Sequence, residues 1–129
     1  MIFNEINDNF RKVLIKNIKT DKMLCIENKQ QIYFKSFDEN KIYSLVWFIT
    51  IIDNEITFYS NGAYLGVSKF TKNVVGEKYM KRWKFEKTNN RYKFNFENSK
   101  NYLTFEKNMA KVKVYKTEDY QTFELIDFY

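Results

Sequence analysis

Short apolar runs alternate with polar stretches along almost the whole chain, and each run has the length of a β-strand. The runs fall at residues 13–15, 23–26, 32–34 and 45–51, then 56–59, 64–67, 73–75 and 82–85, then 92–96, 102–105, 112–115 and 122–126. Between them lie segments rich in Asn, Asp and Lys, so the pattern predicts twelve strands. Within several runs the side chains alternate. Tyr92, Phe94 and Phe96 point one way and Lys93 and Asn95 the other, while Trp83 and Phe85 interleave with Arg82, Lys84 and Glu86. Such strands bury one face and wet the other. No stretch of 12 or more residues sustains a 3.6-residue period, which predicts an all-β chain without a substantial helix.

The apolar positions also repeat at longer range. Ile15 and Leu24, Ile56 and Leu65, and Phe94 and Leu103 are each nine residues apart, and the pairs recur at intervals of 41 and then 38. An aromatic-x-apolar triplet follows each pair, beginning at Trp47, Trp83 and Phe123. A period near 40 describes one supersecondary unit used three times, too small to bury its apolar face except against its sister copies. The expected organisation is a single domain over 1–129, with four-strand units at about 10–52, 53–89 and 90–129. Asp53-Asn54 and Asn89-Asn90 would turn the chain between units, and Asn61-Gly62 within the second. With three glycines and no proline, positive-φ positions fall largely to Asn and Asp.

Three four-strand units are too few for the ring of a propeller. A closed barrel instead removes the edges that a twelve-stranded sheet would expose. Here the residues resemble the β-trefoil superfamily over about 10–129. The segment from Ile15 to Leu24, with Asn17, Thr20 and Lys22, is similar to the opening of ricin-type lectin domains, and Gln121-Thr122-Phe123 to their Q-x-W motif with Phe for Trp. Gly62-Ala63-Tyr64-Leu65 resembles instead the G-x-Y-L of the actin-associated fascin and hisactophilin trefoils. The resemblance implies a β-trefoil, a six-stranded barrel capped by three hairpins. Two departures stand out. Leu45 and Lys81 occupy the Gln position before Trp47 and Trp83, and no unit carries the full lectin pattern of an early acidic residue with a late Asn-Gln pair.

Composition narrows the chemistry. The chain has no histidine, one cysteine and glycines only at 62, 66 and 76. The usual neutral-pH base, Ser-His-Asp and Cys-His arrangements, most zinc sites and Gly-rich phosphate loops are therefore missing. The expectation is a protein that is not an enzyme and uses no cofactor or metal. Carboxylate pairs such as Asp38-Glu39 and Glu118-Asp119 sit in polar loops and read as solvated turn residues. Cys25, between Leu24 and Ile26, reads as an unreactive thiol near the core. The first ten residues, with Asn4, Glu5, Asn7, Asp8 and Asn9, lack the pattern of a signal peptide, and no apolar run approaches a membrane span. A cytoplasmic location is expected, with leaderless release as the alternative.

The net charge of +6 is unevenly spread. Residues 69–93 hold nine basic and two acidic side chains, +7 in all, leaving −1 for the remainder.

Two binding readings follow. A lectin-like module would use the tyrosine before the last strand of each unit, Tyr43, Tyr79 and Tyr120, with Asp119 and Gln121 among the polar groups beside them (Asn40 and Glu77 are others). Aromatic faces stack on sugar C–H surfaces, and amides and carboxylates bond hydroxyls. The competing reading makes the tyrosines buried caps of the barrel mouth and Gln121 a structural amide bonded to backbone. In the second binding reading, a fascin-like trefoil grips actin, another acidic protein or an anionic surface through Lys69, Lys72, Lys78, Lys81, Arg82 and Lys84. Against it stands a lysine-rich compositional bias. Nucleic acid is a less favoured partner for the same charges, and no sequence feature selects a loop for protease inhibition.

Overall fold

The computed structural model describes residues 10–28, 31–97, 99–114 and 119–128. Glu118, Tyr115 and the N-terminal segment read above lie outside them. The described residues form twelve strands: β1 (Phe10–Asn17), β2 (Met23–Asn28), β3 (Gln31–Lys35), β4 (Val46–Ile52), β5 (Glu55–Ser60), β6 (Ala63–Val67), β7 (Val74–Glu77), β8 (Trp83–Thr88), β9 (Arg91–Phe96), β10 (Asn101–Glu106), β11 (Met109–Val114) and β12 (Phe123–Asp127). Every predicted strand is present, and most bounds move by one to three residues. The helical content of the described residues is two 3₁₀ turns, Glu39–Ser44 and Asp119–Gln121. No helix among the described residues is long and apolar enough to cross a membrane.

All pairings are antiparallel, and they close on themselves. β1 pairs with β4, β4 with β5, β5 with β8, β8 with β9, β9 with β12, and β12 returns to β1. Closure leaves no free edge along that circuit. The hairpins β2–β3, β6–β7 and β10–β11 extend from β1, β5 and β9 respectively. They also touch each other, through Met109 opposite Tyr33 and an isolated bridge between Asn73 and Lys111.

Positive φ falls mainly on Asp21, Asp53, Asn61, Asn89 and Asn108, as the scarcity of glycine requires; Glu97 and Lys107 join them. Asn61-Gly62 and Lys107-Asn108 have two such residues in succession, the backbone of tight hairpins that follow the strand twist.

The core is built from the repeated apolar positions. Ile15, Ile56, Phe94, Leu24, Leu65, Leu103, Trp47, Trp83 and Phe123 are all fully buried in one cluster. Each tryptophan also solves a polar problem. The Trp47 indole N–H donates to the Leu24 carbonyl and that of Trp83 to the Leu65 carbonyl, both at 3.0 Å, so burying the ring strands no donor. Phe123 has no such donor, and the polar work near it falls to Gln121.

Candidate functional site

Gln121 is buried at the end of the second 3₁₀ turn. Its Nε2 reaches Thr104 Oγ1 at 3.1 Å, the Val114 carbonyl at 3.0 Å and, more distantly, that of Lys113 at 3.4 Å. The amide thus ties the turn to β10 and to the end of β11, where the strand ladder stops supplying donors. Its structural role is what the competing reading expected, and the side chain also lines a depression.

That depression, of about 410 Å³, is lined by Thr104, Phe105, Glu106, Lys107, Lys113, Tyr120 and Gln121. Its aromatic wall is rigid. The Tyr120 ring lies 6.0 Å from Phe105 at 19°, and Phe105 packs 5.1 Å from the buried Phe34. Tyr120 remains 37% exposed, so one part of the ring is anchored and another faces solvent. Glu106 also lines it, ion-paired with Lys113 and, at 3.5 Å, with Lys111. A carboxylate has about four lone-pair positions, and an ammonium three protons. The pair can therefore accept from and donate to neighbouring hydroxyls beside an aromatic platform.

The remaining predicted residues are distributed elsewhere. Tyr43 stands in the first 3₁₀ turn and Tyr79 between β7 and β8, 65% and 71% exposed. That exposure overturns the reading of these two rings as buried caps. The face of Tyr79 is taken by the Lys78 ammonium, 5.6 Å from the ring centre. Asp119 lines a separate depression.

The predicted basic residues lie along the segments before and after β7 and on β8. Lys69 and Lys72 occupy the loop before β7, and Lys78, Lys81 and Arg82 the segment after it. Arg82 pairs with Glu55 at 3.5 Å, and Lys84 faces the same glutamate across β5–β8.

Sequence reasoning missed Phe105, Glu106 and Lys113. A signal for Glu106 existed, because it follows Leu103 by three residues as Glu27 follows Leu24. Glu27 has the matching partner in Lys35 at 3.4 Å. What differs is the filling. Near Leu24, the side chains of Cys25, Met23, Leu14, Leu45 and Val46 form a satellite apolar cluster. Burial raises the Cys25 thiol pKa, opposed by its hydrogen bond with Ser44, in keeping with the inert thiol expected there.

No protein-family model matches the chain, and no curated protein matches it in sequence. Solved structures do match in shape. A ricin B-like lectin from Macrolepiota procera, solved with lactose, superposes with a TM-score of 0.82 at 12% identity over 92% of this chain and 96% of that one. The designed three-fold symmetric protein ThreeFoil gives 0.79 at 17% identity, over 91% and 99%. The fold is a β-trefoil. It resembles that of the ricin-type lectins, at identities that speak for the fold alone. A GlcNAcα1-4Gal-releasing endo-β-galactosidase from Clostridium perfringens also contains it, with a TM-score of 0.80 at 20% identity over 92% of this chain but 32% of the enzyme. The trefoil therefore accounts for about a third of that protein.

Proposed function

We propose that this trefoil is a non-catalytic carbohydrate-binding module whose site is the depression between the β10–β11 hairpin and the Asp119–Gln121 turn. The observation that carries the reading is the half-exposed Tyr120 ring, backed by Phe105 and set beside the Glu106–Lys113 pair. An apolar sugar face lies on the ring, and hydroxyls bond the charged pair. Glu106 is the one carboxylate among the described lining residues, whereas most glycoside hydrolases place two across the scissile bond. The lactose complex of the Macrolepiota procera lectin supports the choice of ligand class. We further infer that the chain is one domain of three units at about 10–52, 53–89 and 90–129, a reading supported by the matched burial of Ile15, Ile56 and Phe94 and of Leu24, Leu65 and Leu103.

A glycan array checks the reading. The wild-type protein should retain a subset of neutral glycans, and Tyr120→Ala should weaken retention by about two- to tenfold, because an aromatic stacking contact is worth about 0.5–1.5 kcal/mol. Cooperative thermal unfolding of the variant guards against misfolding. A wild-type array blank across neutral and sulfated glycans would overturn the proposal.

A second reading has a narrower footing. Phe70 is 97% exposed at the tip of the loop before β7, between Lys69 and Lys72, which have no ion-pair partner among the described residues. This tip suits an acidic or anionic partner better than the dispersed charges of 78–84 do. Co-sedimentation with actin filaments tests the narrower, fascin-like form. Binding unchanged by Lys69→Glu and Lys72→Glu would remove the tip as its cause.

A further inference from the structure

The Asp119–Gln121 turn is clamped from both sides. Gln121 holds it to β10 and β11, as described. From the barrel, the buried Asn17 side chain donates through Nδ2 to the Asp119 carbonyl at 3.1 Å and to the Thr122 carbonyl at 3.2 Å. Asn17 is fixed in turn because its Oδ1 accepts from the Thr20 N–H and hydroxyl, at 3.1 and 3.0 Å. The turn is therefore held by side chains from two directions, and its residues line two depressions. Tyr120 faces the depression already described. Asp119 and Thr122 border another, of about 620 Å³, whose walls carry Glu86, Thr88, Arg91 and Lys93.

The polar groups of this second depression come in both signs. Lys93 Nζ donates to Thr122 Oγ1 at 2.9 Å, which leaves the threonine's own proton for another acceptor. Glu86 lies opposite Lys93 across β8–β9 and accepts from the Tyr102 hydroxyl at 2.5 Å. Burial lowers the Lys93 pKa, while the charges of Glu86 and Asp119 act to raise it. Among the described residues, Glu86 and Asp119 balance Arg91 and Lys93 in formal charge. An anion would meet two carboxylates and a cation two basic groups, whereas a neutral polyol meets donors and acceptors alternately.

We propose that the depression holding Lys93, Arg91, Asp119 and Thr122 is a second saccharide subsite, and that one neutral oligosaccharide lies across the Asp119–Gln121 turn with a terminal ring on Tyr120 and a later ring beside Lys93. This rests on the carbohydrate reading and adds a preference for chain length. Because the turn itself is already held by Asn17 and Gln121, an extended ligand gains contacts in both depressions without reordering the turn, so little entropy is spent on it.

The test compares lactose with lacto-N-neotetraose, a neutral tetrasaccharide, by calorimetric titration, alongside an array of neutral mono- to hexasaccharides. The expected result is that longer chains bind about tenfold more tightly than the shorter sugar with the same terminal residue, as one or two added hydrogen bonds provide. Lys93→Gln and, separately, the solvent-facing Arg91→Ala should remove most of that gain and leave the short sugar's affinity unchanged. Amide resonances at Thr88 and Lys93 should move only with the longer ligand. If short and long sugars bind equally, and both variants leave them so, the second subsite is overturned while the first stands. If no glycan of any length binds, the carbohydrate reading falls and this inference with it.

Discussion

Glu27 illustrates how one side chain near the surface is set by its neighbours. The Tyr33 hydroxyl donates to it and holds its pKa below the ordinary carboxylate value, with the Lys35 ammonium adding to the effect and partial desolvation opposing it. Tyr33 is affected in the opposite direction, its pKa raised first by burial and then by the hydrogen bond to Glu27. The sign for folding follows. A depressed carboxylate contributes stability above its unfolded pKa, and that contribution is lost as pH falls through the lower, folded value. Tyr33→Phe should therefore move the Glu27 titration midpoint upward, read from its carboxyl carbon by NMR. An unmoved midpoint would assign the depression to Lys35 instead. At this scale little was legible in advance, since Tyr33 and Glu27 belong to different strands and meet only because β2 and β3 pair.

Among elements, the informative comparison is the residue that follows each repeated leucine: Cys25 on β2, Gly66 on β6 and Thr104 on β10. Cys25 joins apolar neighbours, and Thr104 supports the Gln121 amide. Gly66 leaves room for Glu77, whose Cγ would lie 2.3 Å from an added Cβ. Gly66→Ala should accordingly destabilise the β6–β7 hairpin by about 1–3 kcal/mol, the usual cost of overpacking. Gly66→Ala combined with Glu77→Ala should recover most of the loss in thermal or urea unfolding. A double variant no more stable than the single one would place the strain in the backbone rather than in Glu77. The strands themselves were legible because burying one face imposes a two-residue alternation on each. Their bounds moved where a polar residue such as Thr88 or Asn17 continued a ladder begun by apolar ones.

On the scale of the molecule, stability depends on joining the two ends of the described chain. β1 and β12 pair from Val13 opposite Asp127 to Asn17 opposite Phe123, and Arg11 bonds Asp127 at 2.8 Å. Phe123 also completes an aromatic stack through the core, 5.9 Å from both Phe34 and Phe94, with Phe94 5.0 Å from Phe58. Deleting residues 123–129 should open the barrel, expose the edges of β1 and β9 and abolish cooperative unfolding, with loss of near-ultraviolet circular dichroism. A truncated chain that still unfolded cooperatively with native aromatic signals would show that closure is dispensable.

By itself, the order of apolar residues determined the strand content, the positions of the turns and a barrel-like architecture, because burial of repeated apolar side chains depends on period and can be read along one dimension. The recurring tyrosine marked Tyr120, and the resemblance to ricin-type lectin domains marked Gln121. Only the tertiary structure decided that these two residues share a depression with Glu106 and Lys113, and that Tyr43 and Tyr79 stand exposed elsewhere. The reason is physical: what a polar side chain can bind depends on its neighbours through space and on its exposure, and in a closed barrel those neighbours come from strands far apart in the chain.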